Sequence, residues 1–530
     1  MLEAIYNKWK SKTVTGENEP KQQLIPNFIN SYDAINMLYN HISKKHKIAI
    51  HCDVDLDGIG SGYIAKRFIN NLSPVDTLCV INGGKEHGIK QRHADYFNQN
   101  PIDLMLIVDS SSNELDIIKQ FNCDVLIVDH HEVDHNEFKG KTNDGEHNFI
   151  IVNNTLDNFN SSEIIYQLKN NNIYTSDIEC EYHADSRMSC GVVLYELLRL
   201  YQKAYSTGPL LENLMLFQWA GVTLFTDAIP LLNERNQWFI ENTVHSPFVE
   251  PTLKILLNEL NKFSVTLDKS FINYTLAPTF NRAIRANANL EALNTVLINP
   301  YAVTNLARFR ELQDWSISEG VKLANICEDY CKVNLTNSGI HKNYTGVIAG
   351  RVCDDNNKNT IAYTIEDDLA VGSFRGRNNE SDYREYFCNF SDSIYAQGHK
   401  QAFGFKIPIG MIDPLMSNLH SCEKSGISNK PYLTVGNLPD NLKGEYHIDN
   451  IDEFKRLGGL MMLGIGNSKV SSDEQIMISV MSSDATLIEQ RGKLYLYNVL
   501  GLVCKAFKEI DPGMINIYIE SSKNMEFYIK

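Results

Sequence analysis

The sequence contains no C-x-x-C pair, and its 11 cysteines are scattered through segments patterned as strands or helices. An odd number of dispersed thiols suggests neither a disulfide framework nor a zinc knuckle. Cys327 and Cys331 stand four apart in a helical pattern and read as two buried thiols rather than a metal pair. No apolar run approaches the roughly 18 residues of a membrane-spanning helix. Met1 to Lys12 lacks the apolar core of a signal peptide, so a soluble, cytoplasmic protein without membrane contact is expected. Basic charge is short as well. With 49 Lys plus Arg against 65 Asp plus Glu, the net charge is -16, which argues against coating duplex DNA or an anionic membrane by bulk electrostatics and confines nucleic-acid contact to local patches. What is present is apolar residue in quantity. At 43% hydrophobic and 10% aromatic over 530 residues, three or four globular domains are expected.

The first third alternates short apolar runs with amphipathic stretches, as βαβ units around a buried parallel sheet do. The runs are Ile48 to His51, Thr77 to Ile81, Leu104 to Val108, Val125 to Val128 and Phe149 to Val152. Helices are expected at Ser61 to Asn71, Asn113 to Phe121 and from Ser189 through Leu224. Asn305 to Val333, free of Pro, reads as one long bridging helix. A smaller α/β unit follows from Tyr344 to Ile412, and Ser421 to Pro431 reads as a linker. Tyr432 to Lys530 is strand-rich, with one helix expected near Val499 to Phe507. The division that results is an α/β core over 1–240, a helical connector over 241–335, a smaller α/β domain over 336–425 and a strand-rich domain over 426–530. In that last domain, Leu494 to Tyr497 (LYLY) fits a half-buried strand better than an aromatic platform. Gly459 to Gly466 lacks the G-K-[ST] of a phosphate loop and reads as a turn.

Acids and imidazoles gather where strands end. The first run leads into His51-Cys52-Asp53-Val54-Asp55-Leu56-Asp57-Gly58, the third ends at Asp109, the fourth at Asp129-His130-His131, and a helix pattern ends at Thr226-Asp227. In a parallel sheet all strand carboxyl ends open on one edge, so these groups converge in one crevice. So many carboxylates do not stay ionised together without cations, and two divalent metals satisfy them. Oxygen ligands with one or two imidazoles suit Mn²⁺ or Mg²⁺ better than Zn²⁺. One Asp at a strand end is an ordinary helix cap. Four such segments in order are not. Cys52 points away along the strand and is expected in the core. His87 and His93, near Gly83-Gly84, fall in a loop and read as surface residues.

The ordered set D-x-D-x-D-G, V-D, D-H-H and T-D-A resembles the DHH phosphoesterase superfamily and, within it, the RecJ exonucleases. Val222 to Asn236 (VTLFTDAIPLLNERN), Ala277 to Arg285 (APTFNRAIR), Gly372 to Arg375 (GSFR) and Ala396 to Phe405 (AQGHKQAFGF) resemble further segments of that family and of its DHH-associated domain. The likeness runs from about residue 25 to 412 and leaves Tyr432 to Lys530 unmatched. It implies a DHH domain with a mostly parallel sheet, a long helix leading to a smaller DHH-associated α/β domain, and catalysis between the two.

Carried over by position, the resemblance implies two Mn²⁺ ions, or Mg²⁺, bridged by Asp109. Asp55 would hold the first ion, with Asp53 as a ligand or beside one. Asp57, His130 and Asp227 would hold the second. Asp129 would orient an imidazole, and His131 would face the scissile phosphate. His51 matches a metal-binding His found in some DHH phosphodiesterases, H-x-x-x-D-x-D. Asn281, Arg282, Arg285, Ser373, Arg375, Gly398 and His399 would bind substrate phosphates. Thr279, Arg282 and Ile284 stand where the family carries Arg, Ala and Gly, and Gln397 stands where it has Gly. The implied activity is hydrolysis of single-stranded DNA from the 5′ end, in DNA repair and recombination, with a single-strand-binding protein or a helicase as protein partner. Two alternatives stand beside it: a DHH phosphodiesterase for short oligoribonucleotides, cyclic dinucleotides or nucleoside bisphosphates, and a non-catalytic DHH scaffold that binds single-stranded DNA.

Overall fold

The computed structural model describes residues 28–156, 188–226 and 234–425, apart from 245, 247, 261–266, 269–270, 378–381 and 392, and beyond 425 the strands of one sheet. The chain divides into two compact units, residues 1–281, 289–304 and 438–530 in one and 282–288 with 305–437 in the other. No helix among the described residues is long and apolar enough to cross a membrane.

In the first unit, β1 (Ile48–Cys52), β2 (Thr77–Ile81), β3 (Leu104–Val108), β4 (Asp124–Asp129), β5 (Lys139–Lys141) and β6 (Asn148–Asn153) form a sheet in the order β2-β1-β3-β4-β6-β5. Every pairing is parallel except the β5–β6 hairpin. β1 and β3 are buried throughout, which is why they read as continuous apolar runs, whereas β2 lies at an edge and is only partly covered. One face packs on Ala94 and Phe97 of the helix Gln91–Gln99 and on Ile118 and Phe121. On the other, Cys52 is buried against the helix Leu56–Leu72, whose Gly62 leaves room for its sulfur. That helix starts where Asp55 accepts a hydrogen bond from Gly58 N at 3.0 Å. A Cβ on Gly58 would sit 2.6 Å from the Asp53 backbone, so the glycine of D-x-D-x-D-G is there for close approach.

The second unit holds β7 (Ala324–Ile326), β8 (Cys331–Asn334), β9 (Thr360–Glu366), β10 (Leu369–Arg375), β11 (Tyr395–His399) and β12 (Ala402–Pro408), in the order β11-β12-β10-β9-β8-β7. The expected helix over 305–333 is shorter: it spans Phe309–Lys322 and gives way to the β7–β8 hairpin. Past Lys322 the apolar residues alternate, and Cys331 and Val333 go inward against Ile348 and Val352, which a helical continuation would not allow. Cys327 and Cys331 therefore flank a hairpin turn rather than share a helix face; Cys331 is buried and Cys327 partly so.

Beyond 425 lie β13 (Tyr446–His447), β14 (Ile476–Met481), β15 (Ala485–Arg491), β16 (Leu494–Val499), β17 (Leu502–Ala506), β18 (Met514–Ser521) and β19 (Met525–Ile529). The expected helix near Val499–Phe507 is replaced by β17, which pairs with β16 and buries Ala506. Tyr497 on β16 is buried, as a half-buried strand requires. The strands β15, β16 and β17 form an antiparallel meander, β17 runs parallel to β19, and β18 pairs antiparallel with both β19 and β14. Only three residues separate β14 from β15. The seven strands follow the order β13-β14-β18-β19-β17-β16-β15.

Candidate functional site

At the carboxyl edge of the first sheet, β3 runs directly into Asp109, whose backbone is left-handed (φ 68), as is that of Ser111 (φ 78). Non-glycine residues adopt this conformation at a cost and chiefly where function or packing demands it. Asp109 N donates to Val128 O at 2.9 Å, and its Oδ1 lies 3.2 Å from His130 Nε2. Donor atoms of Asp109, His130 and His131 lie within 4.8 Å of one another, and so do those of Asp53, Asp55 and Asp109. Asp109 belongs to both groups.

Asp129 ends β4 fully buried and accepts hydrogen bonds from His130 N (2.7 Å), Ser112 N (3.2 Å) and His131 Nδ1 (2.8 Å). Burial opposes its charge, but the His131 and His130 imidazoles and these hydrogen bonds prevail and hold its carboxyl well below the usual range. His131 is thereby fixed by one nitrogen while its side chain stays 57% exposed. Asn153, at the end of β6, steadies the same loop by donating to His131 O (2.9 Å) and Ser112 Oγ (3.0 Å). Asp57 is adjacent, 3.8 Å from His130 Nε2, but outside both donor groups; its oxygens accept from Cys190 N (2.9 Å), Gly191 N (3.0 Å) and Ser61 Oγ (3.1 Å). Asp227 lies outside the described residues.

His51 is fully buried, and neither ring nitrogen has a hydrogen-bond partner among the described residues. Its ring meets His93 edge-on at 5.1 Å, and it also lies outside both groups. Burial, followed by the charge of His93, lowers its pKa to about 3, so it is neutral. His87 and His93 are not the bland surface residues the loop suggested. His93 meets His51, and His87 places Nδ1 2.6 Å from Asp53 Oδ2 while Gly88 N donates to Asp53 Oδ1 at 3.0 Å. A lone histidine in a glycine-containing loop carries no sequence signal for a partner 34 residues away; only the E-H-G step after β2, near the crevice edge, pointed there.

The second unit carries a cluster of its own. In the helix Ala277–Arg285, Ile284 is buried, so its departure from the family glycine is absorbed by packing, and Arg285 keeps a place beside Arg375. Arg285 donates to Gln313 Oε1 (3.0 Å) and Arg375 to its neighbour Phe374 O (2.6 Å). Burial first, and the Arg375 charge second, bring Arg285 down to about 10; burial lowers Arg375 and, with Arg310, Arg282. The Arg282 Nε is buried without a hydrogen bond among the described residues. Ser373 Oγ shares a hydrogen bond with Thr345 Oγ1 at 2.9 Å, and Gly346, near the start of the helix Thr345–Asn356, leaves room for the Arg375 guanidinium. At the β11–β12 tip Gly398 has φ 132 and the backbone of His399 pairs with Ala402. Asn281 is half-buried on the same helix as Arg285. Among the described residues none of these guanidiniums is ion-paired with a carboxylate, although the Asp314 charge acts on Arg282, and such crowded cations make a place for an anion.

Residues 47–205 match the model of the DHH family, N-terminal domain. Over that segment the chain resembles DHH domains. Over 135 residues, the chain is 30% identical to a Bacillus subtilis (strain 168) protein provisionally named an SPbeta prophage-derived single-strand DNA-specific exonuclease. That match covers 24% of this chain and only 21% of the relative's length. The fold resembles RecJ from Thermus thermophilus solved with Mn²⁺, with a TM-score of 0.67 and 15% identity over 100% of this chain and 75% of that one. It also resembles the same organism's RecJ solved with Mg²⁺, with a TM-score of 0.62 and 14% identity over 100% of this chain and 74% of the other. At these identities the likeness establishes a RecJ-like fold, in which the segment matched by the DHH model supplies the first sheet.

Proposed function

We propose that this protein is a metal-dependent hydrolase of phosphodiester bonds in single-stranded DNA, a RecJ-like exonuclease that starts at the 5′ end and uses two Mn²⁺ ions, with Mg²⁺ as the alternative. The observation that carries this reading is the pair of donor groups that share Asp109. The donors fit hard or borderline divalent ions. They are carboxylates and imidazoles, and neither group includes a thiol. When bound, two such ions supply an activated water and charge stabilisation for in-line displacement at phosphorus.

Asp53, Asp55 and Asp109 are assigned to one ion, and Asp109 and His130, with Asp57 beside them and Asp227 by its motif, to the other. Asp129 holds His131 so that the exposed side of its ring meets the scissile phosphate. Arg285, Arg375, Arg282, Ser373, Gly398 and His399 of the second unit, with Asn281 at the end of the preceding segment, are assigned to the substrate phosphates. The strand order beyond 425 is the one an oligonucleotide/oligosaccharide-binding (OB) barrel has when its first strand is split into β14 and β15, and such barrels bind oligonucleotides, which supports a single strand as substrate. A dinucleotide phosphodiesterase would have had its best support in His51, but that ring packs against His93 outside both donor groups.

Degradation of end-labelled single strands, duplex ends, short RNA and cyclic dinucleotides tests the reading. Single strands should be shortened from the 5′ end, duplex ends should resist, and deletion of residues 432–530 should impair long strands far more than dinucleotides. Wild-type protein that cleaves dinucleotides but leaves long single strands intact would sink it.

A further inference from the structure

The loop between β2 and the helix Gln91–Gln99 is held more firmly than a connection needs. Asn289 grips Gly84 from both sides, accepting from its N–H at 2.9 Å and donating to its carbonyl at 2.8 Å. Asn82 Nδ2 donates to Gly88 O at 2.6 Å, and Arg92 donates to Asn82 Oδ1 at 2.6 Å and to Glu86 Oε1 at 3.1 Å. Ser111, one of the left-handed residues after β3, accepts from Ile89 N at 2.8 Å. All of these constraints converge on the residue between Glu86 and Gly88. That residue is His87, whose Nδ1 lies 2.6 Å from the buried Asp53 while its side chain remains 49% exposed.

The arrangement repeats the one made by Asp129 and His131. In each pair a buried carboxylate at the end of a strand accepts from an imidazole Nδ1 and from backbone N–H groups, and the imidazole keeps about half its surface open. Nδ1 being committed, the exposed part of the ring carries Nε2. Asp55, a member of the donor group that includes Asp109, lies close enough for its charge to act on His87. A carboxylate that orients an imidazole and fixes which nitrogen faces outward is a recurrent way of aiming the other nitrogen.

We propose that His87 is a substrate-contacting residue of the DHH site, its Nε2 meeting the scissile phosphodiester group from the β2 side as the exposed nitrogen of His131 does from the β4 side. This rests on the phosphodiesterase reading above. A merely structural His87 would serve by tying Asp53 in place, and the two roles use different nitrogens. An Asn amide nitrogen takes the place of Nδ1, and a Gln amide nitrogen takes that of Nε2.

The test compares His87→Ala, His87→Asn and His87→Gln in the full-length protein, by steady-state kinetics on the best substrate from the panel above and by calorimetry of Mn²⁺ binding. The expected result is a fall in kcat/KM of tenfold or more for both the Ala and the Asn variants, partial recovery in the Gln variant, and Mn²⁺ affinity within twofold of wild type in the Asn variant, which keeps the bond to Asp53. Wild-type kinetics in His87→Asn would overturn the proposal, since the Asp53 bond alone would then suffice. So would a tenfold loss of Mn²⁺ affinity in His87→Asn that accounts for its kinetic loss. If the wild-type protein cleaves dinucleotides and not long strands, the exonuclease reading falls, and the same three variants decide the role of His87 on that substrate.

Discussion

Replacing Arg285 with methionine should make the ligand-free protein more stable while removing its response to phosphate. The guanidinium is largely buried beside Arg375, and its pKa is brought down to about 10 by burial first and that neighbour second. Relative to an ordinary arginine, keeping it charged at neutral pH costs on the order of 3 kcal/mol. Arg285→Met keeps most of the aliphatic stem, removes the charge, and gives up the hydrogen bond to Gln313, a loss of roughly 1 kcal/mol. The net expectation is a gain of about 1 to 2 kcal/mol, readable as a higher urea midpoint with an unchanged slope. Inorganic phosphate or a nucleoside 5′-monophosphate should raise the thermal midpoint of the wild type and leave that of Arg285→Met where it was. Destabilisation of the variant by more than about 1 kcal/mol, with its phosphate response intact, would show that Arg285 is a structural cation and that the cluster does not wait for an anion.

The acids and the packing beneath them yield further expectations. Asp109→Asn should lose most of the binding of both ions and all hydrolysis; calorimetry that still showed two ions at wild-type affinity would refute the sharing of Asp109. Gly62→Ala should cost about 1 to 3 kcal/mol, because the new Cβ would sit 2.2 Å from Cys52 Sγ, and Cys52→Ala should recover much of that in the double variant. Additive losses in that cycle would place the clash elsewhere. For His51 the folded pKa of about 3 lies below its ordinary 6.5. The unfolded chain therefore takes up a proton that the folded one refuses, and stability of the metal-free protein should fall as pH drops from about 6.5 toward 3. The slope should approach about 1.4 kcal/mol per pH unit from this group alone, and His51→Phe should flatten it in urea melts between about pH 7 and pH 4.

The strands of the DHH sheet were legible because a fully buried parallel strand leaves no choice of side chain, as in Leu104 to Val108. The acids at their ends were legible because a parallel sheet brings all carboxyl ends to one edge. What stayed hidden depended on partners far along the chain. His87 looked like a loop residue because nothing near it in sequence announces Asp53. The helix expected over 305–333 stopped at Lys322 because β8 needs Cys331 and Val333 facing inward, a demand set by Ile348 rather than by local propensity. In the same way, Leu502 to Ala506 has the composition of a helix and is drawn into a strand by its neighbours β16 and β19. Asp57 was read as a ligand, and the structure also gives it the amides of Cys190 and Gly191, 133 and 134 residues on.

The grip of Asn289 on Gly84 spans 205 residues of sequence. A chain made from its N-terminus can assemble the parallel sheet, with Asp53, Asp109 and Asp129 at its edge, well before residue 289 exists. During that interval the loop that bears His87 has no anchor at Gly84. The growing polypeptide thus possesses the acids of the centre early and the order of its β2 side late, which delays completion of the proposed site until more than half of the protein has been synthesised. Hydrogen exchange in residues 82–88 of Asn289→Ala should be faster than in the wild type, and unchanged protection there would show that the loop orders itself without this clasp.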